Sequence, residues 1–208
     1  MSDDDFATEP VRGLPEAPPA GEHILWQGAP DWRRLAVEAL ALRWIAGYFA
    51  LLALWRGLAV GADAGLARGI LNAVPYLVLG LIVVGLLAGI AWLQARATVY
   101  TITNRRVAMR VGVALTVTLN LPYTHVTAAD LDMRPGGTGT IALSLTENAK
   151  LSYLILWPHA RPWVMRRPQP ALRCVPDAER VAGILAEAAR MRLNETAVSI
   201  SAIQVAAE

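Results

Sequence analysis

The sequence predicts an α+β membrane protein: a two-helix transmembrane hairpin, then a cytoplasmic antiparallel β-barrel or sandwich with a C-terminal capping helix. Three observations predict it. Residues 70–93, ILNAVPYLVLGLIVVGLLAGIAWL, hold no charged side chain and as a helix reach roughly 36 Å, enough to cross a hydrocarbon core of about 30 Å. A second apolar run, about 42–60, has WIAGYFALLALWRGLAV at its centre and is interrupted there only by Arg56. After Gln94 the text changes to alternation rich in β-branched residues, the pattern of half-buried strands.

Composition agrees. Apolar residues make up 55% of the 208 and charged residues 17%, a balance shifted toward membrane proteins. The net charge of +2 is small, and the arginines crowd the segments beside the apolar runs. That suits a membrane-apposed surface; a nucleic-acid face needs a denser basic stripe. Cys174 is alone in the sequence, which excludes an internal disulfide or a Cys-rich metal site. The start, MSDDDFATEP, lacks the basic-then-apolar order of a cleavable signal, so the spans themselves must drive insertion.

Residues 1–19 are rich in proline and acids without apolar periodicity, and read as a mobile leader. Residues 20–41 read as an interfacial segment. It has an apolar patch at Ile24, Leu25 and Trp26, then Asp31 placed to cap an amphipathic helix carrying Trp32, Arg33 and Arg34. This helix either lies at headgroup level, with Trp26 and Trp32 in the interface and the arginines toward anionic lipid, or packs on the soluble domain.

The hairpin occupies 42–95, with spans of about 42–60 and 70–93. Arg56 falls about a turn from the far end of the first span, where its side chain can snorkel, or meet an acidic group or a lipid phosphate and help define a docking face. Gly80, Gly85 and Gly89 line the second helix with small residues, the last two in the GxxxG relation that permits close helix contact. The link, residues 61–69, is short, so the outer ends of both spans lie on one side. Arg33, Arg34 and Arg43 precede the first span and Arg96, Arg105, Arg106 and Arg110 follow the second, which puts both termini in the cytoplasm.

Residues 96–192 form the β domain. VYTITNRRVAMRVG reads as strand, turn, strand; LTVTLNLPYTHVTAADLDM, TGTIALSLT and LSYLILW supply further strands, with turns at Pro135-Gly136-Gly137 and Glu147-Asn148. A helix over 177–192 follows, with Val181, Ile184, Leu185 and Ala188 on one face, and residues 193–208 read as a flexible tail.

No catalytic, metal or cofactor set can be named. His23, His125 and His159 lie in separate segments, and neither span carries a histidine to ligate a pigment. The segment LWPHARPWVMRRPQP, residues 156–170, is stiff, basic and aromatic. Trp157, Arg161, Trp163, Arg166 and Arg167 are the candidate partner-contact residues, although an irregular strand with Trp157 in the core would account for part of it.

The order PAGEHILWQGAPDW, two spans, YTITNRRVAMRVGVALTVTLNLPY, GTGTIALSL, LWPHARPW and RPQPALRCVPDAERV resembles the PuhB family of photosynthetic complex assembly proteins of purple phototrophic bacteria. The likeness runs from about residue 13 to 192. The YTIT-RRV and GTG-I-L elements alone resemble the wider bacterial pleckstrin-homology-like domain. The resemblance implies a cytoplasmic-membrane protein that assists assembly of the reaction centre and core antenna by binding, without enzymatic activity, and that self-associates. The partners expected are membrane lipid, reaction-centre and antenna subunits or other assembly factors. A different class of function, a membrane-anchored module that reads lipid headgroups, fits the same arginines.

Overall fold

The computed structural model describes residues 10–113, 116–146 and 151–206, with side chains up to residue 195. Two units are distinguished, the helical residues Trp32–Leu93 and a β domain assembled from Met1–Asp31 and Gln94–Glu208.

The β domain begins before the hairpin. Strand β1, Ile24–Gly28, pairs antiparallel with β2, Val99–Thr103, which pairs with β3, Arg106–Val111, and β3 with β4, Val117–Pro122. A 3-10 turn at Tyr123–His125 leads into a second antiparallel sheet of β5, Val126–Met133, β6, Gly139–Leu145, and β7, Ala171–Val175. One core joins both sheets: Tyr100, Ile102, Val107 and Met109 from the first meet Ile141, Leu143 and Leu172 from the second. The last helix, α5, Ala178–Ala206, lays Val181, Leu185 and Ala188 on that cluster, so the expected capping stripe is buried.

Four sequence expectations are corrected here. The first is the interfacial segment: residues 24–28 are a strand, and Trp26, expected in the interface, packs half-buried against the core. Its neighbours are stitched to the β2–β3 turn. The Asn104 amide group accepts from the His23 backbone N–H and donates to the Gly21 carbonyl, and the Glu22 side chain, only 3% exposed, pairs with Arg106 at 2.8 Å. A five-residue strand whose partner follows a whole hairpin leaves almost no local signal.

The second is the leader, of which residues 10–19 are described. Leu14 is 1% exposed, and Gly13, at φ 84°, lies so close that a Cβ there would come 2.6 Å from a Val99 methyl. Only glycine meets both demands. The third is LSYLILW: residues 153–156 form one helical turn, α4, Tyr153–Leu156, and ALRCV is the strand instead. Pro158 has no N–H to give a ladder, whereas all five residues of β7 are buried. The fourth is the helix end. No glycine or proline follows Leu193 to stop α5, and Arg192 reaches Glu195 at 3.2 Å across the expected boundary, so the helix runs on to Ala206. The Pro135-Gly136-Gly137 turn is present, with the Arg134 N–H donating to the Thr138 carbonyl at 2.8 Å. The turn expected at Glu147-Asn148 lies outside the described residues.

The helical unit contains α1, Trp32–Glu38, α2, Leu42–Ala64, and α3, Leu66–Ala97. Both long helices have the length and apolar character to cross a membrane. They continue into the expected link until Gly65, whose φ of 87° makes the reversal. Small residues decide how closely α2 and α3 approach. A Cβ on Gly69 would meet the Gly57 carbonyl and, at 2.9 Å, the Gly61 Cα; one on Gly80 would lie 2.6 Å from the Phe49 Cβ. Gly85 and Gly89 face open space and take no part in this contact.

A Cβ on Gly57 would lie 3.4 Å from the Ala73 Cβ, near the separation of a disulfide. A Gly57→Cys/Ala73→Cys variant of the full chain should therefore crosslink on mild oxidation, read as loss of free-thiol labelling and by mass spectrometry. Adding Gly69→Leu should abolish the crosslink, and adding Gly85→Leu should leave it intact.

Candidate functional site

The segment from α4 to β7 is fixed at its base by the buried imidazole of His159, whose ring is held at both nitrogens. Tyr100 Oη lies 2.6 Å from Nδ1 and Thr98 Oγ1 lies 3.0 Å from Nε2. The other partners settle the proton order. Tyr100 Oη accepts from the Arg173 backbone N–H at 3.2 Å, so its own proton goes to Nδ1; Thr98 Oγ1 donates to the Gln94 carbonyl at 2.7 Å, so it accepts from Nε2–H. The ring is thus neutral and protonated on Nε2. Burial, and secondarily the Arg173 guanidinium, lowers its pKa from 6.5 to about 3, and burial raises that of the Tyr100 phenol.

Beyond His159 the chain makes a narrow hairpin. Ala160 bridges Pro170, the Arg161 N–H donates to the Gln169 carbonyl, and the Ala171 N–H donates to the His159 carbonyl. Arg161, one of the expected contact residues, is turned to structure: its guanidinium reaches Asp130 at 2.7 Å and Gln169 at 3.0 Å. The tip differs. Trp163 has a left-handed backbone, φ 66°, and is 89% exposed; Met165, Arg166 and Arg167 are exposed beside it. Trp157 is 43% exposed, outside the core, and Leu154 on α4 is 85% exposed.

The remaining expected residues scatter. Trp32 is partly exposed, with the Arg33 guanidinium 5.4 Å from its ring centroid, while Arg34 is half-buried. Arg56 is exposed on α2, about 12 Å of helix rise before its end at Ala64, and no acidic partner faces it among the described residues. The structure therefore brings Trp157, Trp163, Arg166 and Arg167 into one segment and leaves the glycines and the α1 residues elsewhere.

Two concave surfaces were not expected. In the β domain, an apolar groove of about 550 Å³ lies between α5 and β5–β6, lined by Leu131, Ile141, Leu185 and Ala189 with Arg190 at its edge. In the helical unit, an apolar groove of about 380 Å³ runs along α2 and α3, lined by Ala53, Gly57, Gly69 and Ala73. Neither presents an acid, base and nucleophile together. Among the described residues no group of three or more His, Cys, Asp or Glu side chains is placed to hold a metal.

A family model for the bacterial PH domain matches residues 40–189. The chain belongs to the bacterial PH domain family. This family is defined by a PH-like domain and is not a known class of enzyme. The match begins after β1, so the first strand of this PH-like domain comes from outside the matched range. The chain is also similar to a Rhodobacter capsulatus protein described as an uncharacterized 23.7 kDa protein in the puhA 5′ region. Identity is 47% over 201 residues, covering 95% of this chain and 94% of that protein. No solved structure gives a significant match.

The His159 network predicts a pH dependence with a definite sign. The unfolded chain takes up a proton near pH 6.5, whereas the folded ring stays neutral to about pH 3. Stability from this site is therefore complete above pH 6.5 and declines as pH falls toward 3, by about 1.4 kcal/mol per unit. In urea unfolding of the detergent-solubilised full chain, roughly 2 kcal/mol should be lost between pH 7 and 5 through this ring. His159→Phe should start less stable and show a pH slope shallower by that amount.

Proposed function

We propose that this chain is a non-enzymatic assembly factor for the photosynthetic reaction centre and its core light-harvesting antenna. It is held in the bacterial cytoplasmic membrane with both termini in the cytoplasm and acts by binding client helices and subunits. The observation that carries the reading is the end-to-end similarity to the Rhodobacter capsulatus protein of the puhA 5′ region, which hints at a role linked to a photosynthesis operon. The likeness of LWQGAPDW and LWPHARPW to the PuhB family supports the same conclusion.

The geometry favours binding over chemistry. The groove between α2 and α3 and the open face of α3 at Gly85 and Gly89 offer small-residue surfaces to another apolar helix, where close approach supplies the packing that drives association in lipid. Arginines before the first span and after the second support the cytoplasmic placement of both ends.

A deletion strain of the source organism, scored separately for reaction-centre absorbance and for bulk lipid composition, tests the proposal. Reaction-centre level should fall several-fold with lipid composition unchanged, and the tagged full chain, crosslinked in the membrane and extracted mildly, should recover reaction-centre polypeptides. A normal reaction-centre level in the deletion strain would sink the reading.

A further inference from the structure

We propose that the groove between α5 and β5–β6 is a docking site for an extended segment of a partner protein. The segment adds to the open edge of β5 as an antiparallel strand and sets a carboxylate at its C-terminal end against Arg190. The inference rests on the β domain alone and stands whether or not the two long helices cross a membrane. Three observations select this occupant.

The first is a core face that is only half covered. In the β5–β6 ladder Ala129 stands opposite Leu143 and Leu131 opposite Ile141, and residues directly opposite share a face of the sheet. Leu143 and Ile141 are sealed in the core, whereas Leu131 is 39% exposed and Ala129 is exposed too. α5 therefore covers β6 and stops short of β5. The gap is the apolar groove of about 550 Å³, walled on the helix side by Ala182, Ala186 and Ala189, whose short side chains leave it open. A concave apolar surface continuous with a packed core is the form a binding groove takes.

The second is the strand edge that bounds the groove. β5 is the terminal strand of its sheet, with β6 on one side and no strand on the other among the described residues. Such an edge displays a row of backbone N–H and C=O groups, and proteins that keep it empty place proline, lysine or a bulge along it. β5, VTAADLDM, has neither proline nor lysine. Its irregularity falls between Val126 and Ala128, and from Ala128 to Met133 the register is unbroken. Asp130 and Asp132, on the opposite face from Leu131, are paired with Arg161 and Arg134. Another strand completes such an edge, while a helix or an acyl chain would leave its polar backbone unmatched.

The third is length and charge. α5 opens at the Gly137 turn, where the Ala178 N–H donates to the Gly137 carbonyl, and runs back along β5 to the 3-10 turn at Tyr123–His125. From Ala178 to Leu193 it rises roughly 22 Å, the length of about seven extended residues. Arg190 is exposed toward the beginning of β5, and among the described residues no acid lines the groove with it. A strand laid antiparallel to β5, the more stable pairing, ends there. A carboxylate at that end, terminal or side-chain, meets the guanidinium.

The test uses the purified full chain and fluorescein-labelled eight-residue peptides that alternate valine with serine, threonine or leucine. Each ends in aspartate or in lysine, with its C-terminus free or amidated. By anisotropy, aspartate-ended peptides should bind about tenfold more tightly than lysine-ended ones, and amidation tells the terminal carboxylate from the side-chain one. N-methylation of alternate peptide residues should abolish binding in one frame and spare it in the other, as strand addition requires. Ala186→Trp, which fills the groove from an exposed helix position, should weaken binding about tenfold. Arg190→Glu should reverse the preference between aspartate and lysine ends, a reading that does not depend on how the tryptophan is accommodated. No binding by any peptide up to about 1 mM overturns the inference, as does binding indifferent to end charge or to the N-methylation frame. So does concentration-dependent pairing of the chain that Ala186→Trp abolishes while no peptide binds, which would give the groove to a second copy.

Discussion

Backbone hydrogen bonds between β1 and β2 join residues on either side of the helical hairpin, so a chain that leaves the sheet at Gly28 must return to it at Val99. With both helices crossing a bilayer, that pairing requires an even number of crossings and puts the two outer ends on one side. The sheet does not choose that side; it requires only that it be the same side for both. The pairing also explains why the segment before the hairpin is ordered. Once β1 is in the ladder, Glu22 can bury its carboxylate against Arg106, and Gln27 can bond Thr101 and the Arg12 carbonyl. Breaking the pair would strand a nearly buried carboxylate without its cation.

How much of this was legible follows from whether the signal was local. The spans, the β2–β3 hairpin and the Pro135-Gly136-Gly137 turn are written in consecutive residues, through apolar length, alternation and turn chemistry, and they are present. The capping face of α5 was visible because 3.6-residue periodicity is local too. β1 was hidden because ILWQG is a strand only in the presence of β2. The exchange of LSYLILW for ALRCV has the same cause: apolar β-prone text was judged by composition, while the ladder selected the segment that β6 could reach without a proline.

The site shows the same division. Basic and aromatic composition drew attention to residues 156–170, where Trp163, Arg166 and Arg167 are exposed. What composition could not supply was the contrast inside the segment. Arg161 is a brace, and His159, one of three histidines set aside for want of a metal partner, is the pin. Its partners lie about sixty residues away in β2 and the residue before it, and nothing in the spacing of Thr98, Tyr100 and His159 marks them as neighbours. The result is a rigid base carrying an open tip, with Tyr100 serving both the core and the pin.

The position of β1 ahead of the hairpin also has a bearing on biogenesis. Seventy residues separate Gly28 from Val99, so at a synthesis rate of about 5–20 residues per second the first strand waits several seconds for its neighbour. Under the proposed membrane placement both helices integrate during that interval, and a nascent chain whose second helix ended on the wrong side would keep its two sheet edges apart. Maturation of the globular part would thereby depend on correct integration, a proofreading step imposed by the order of elements along the chain.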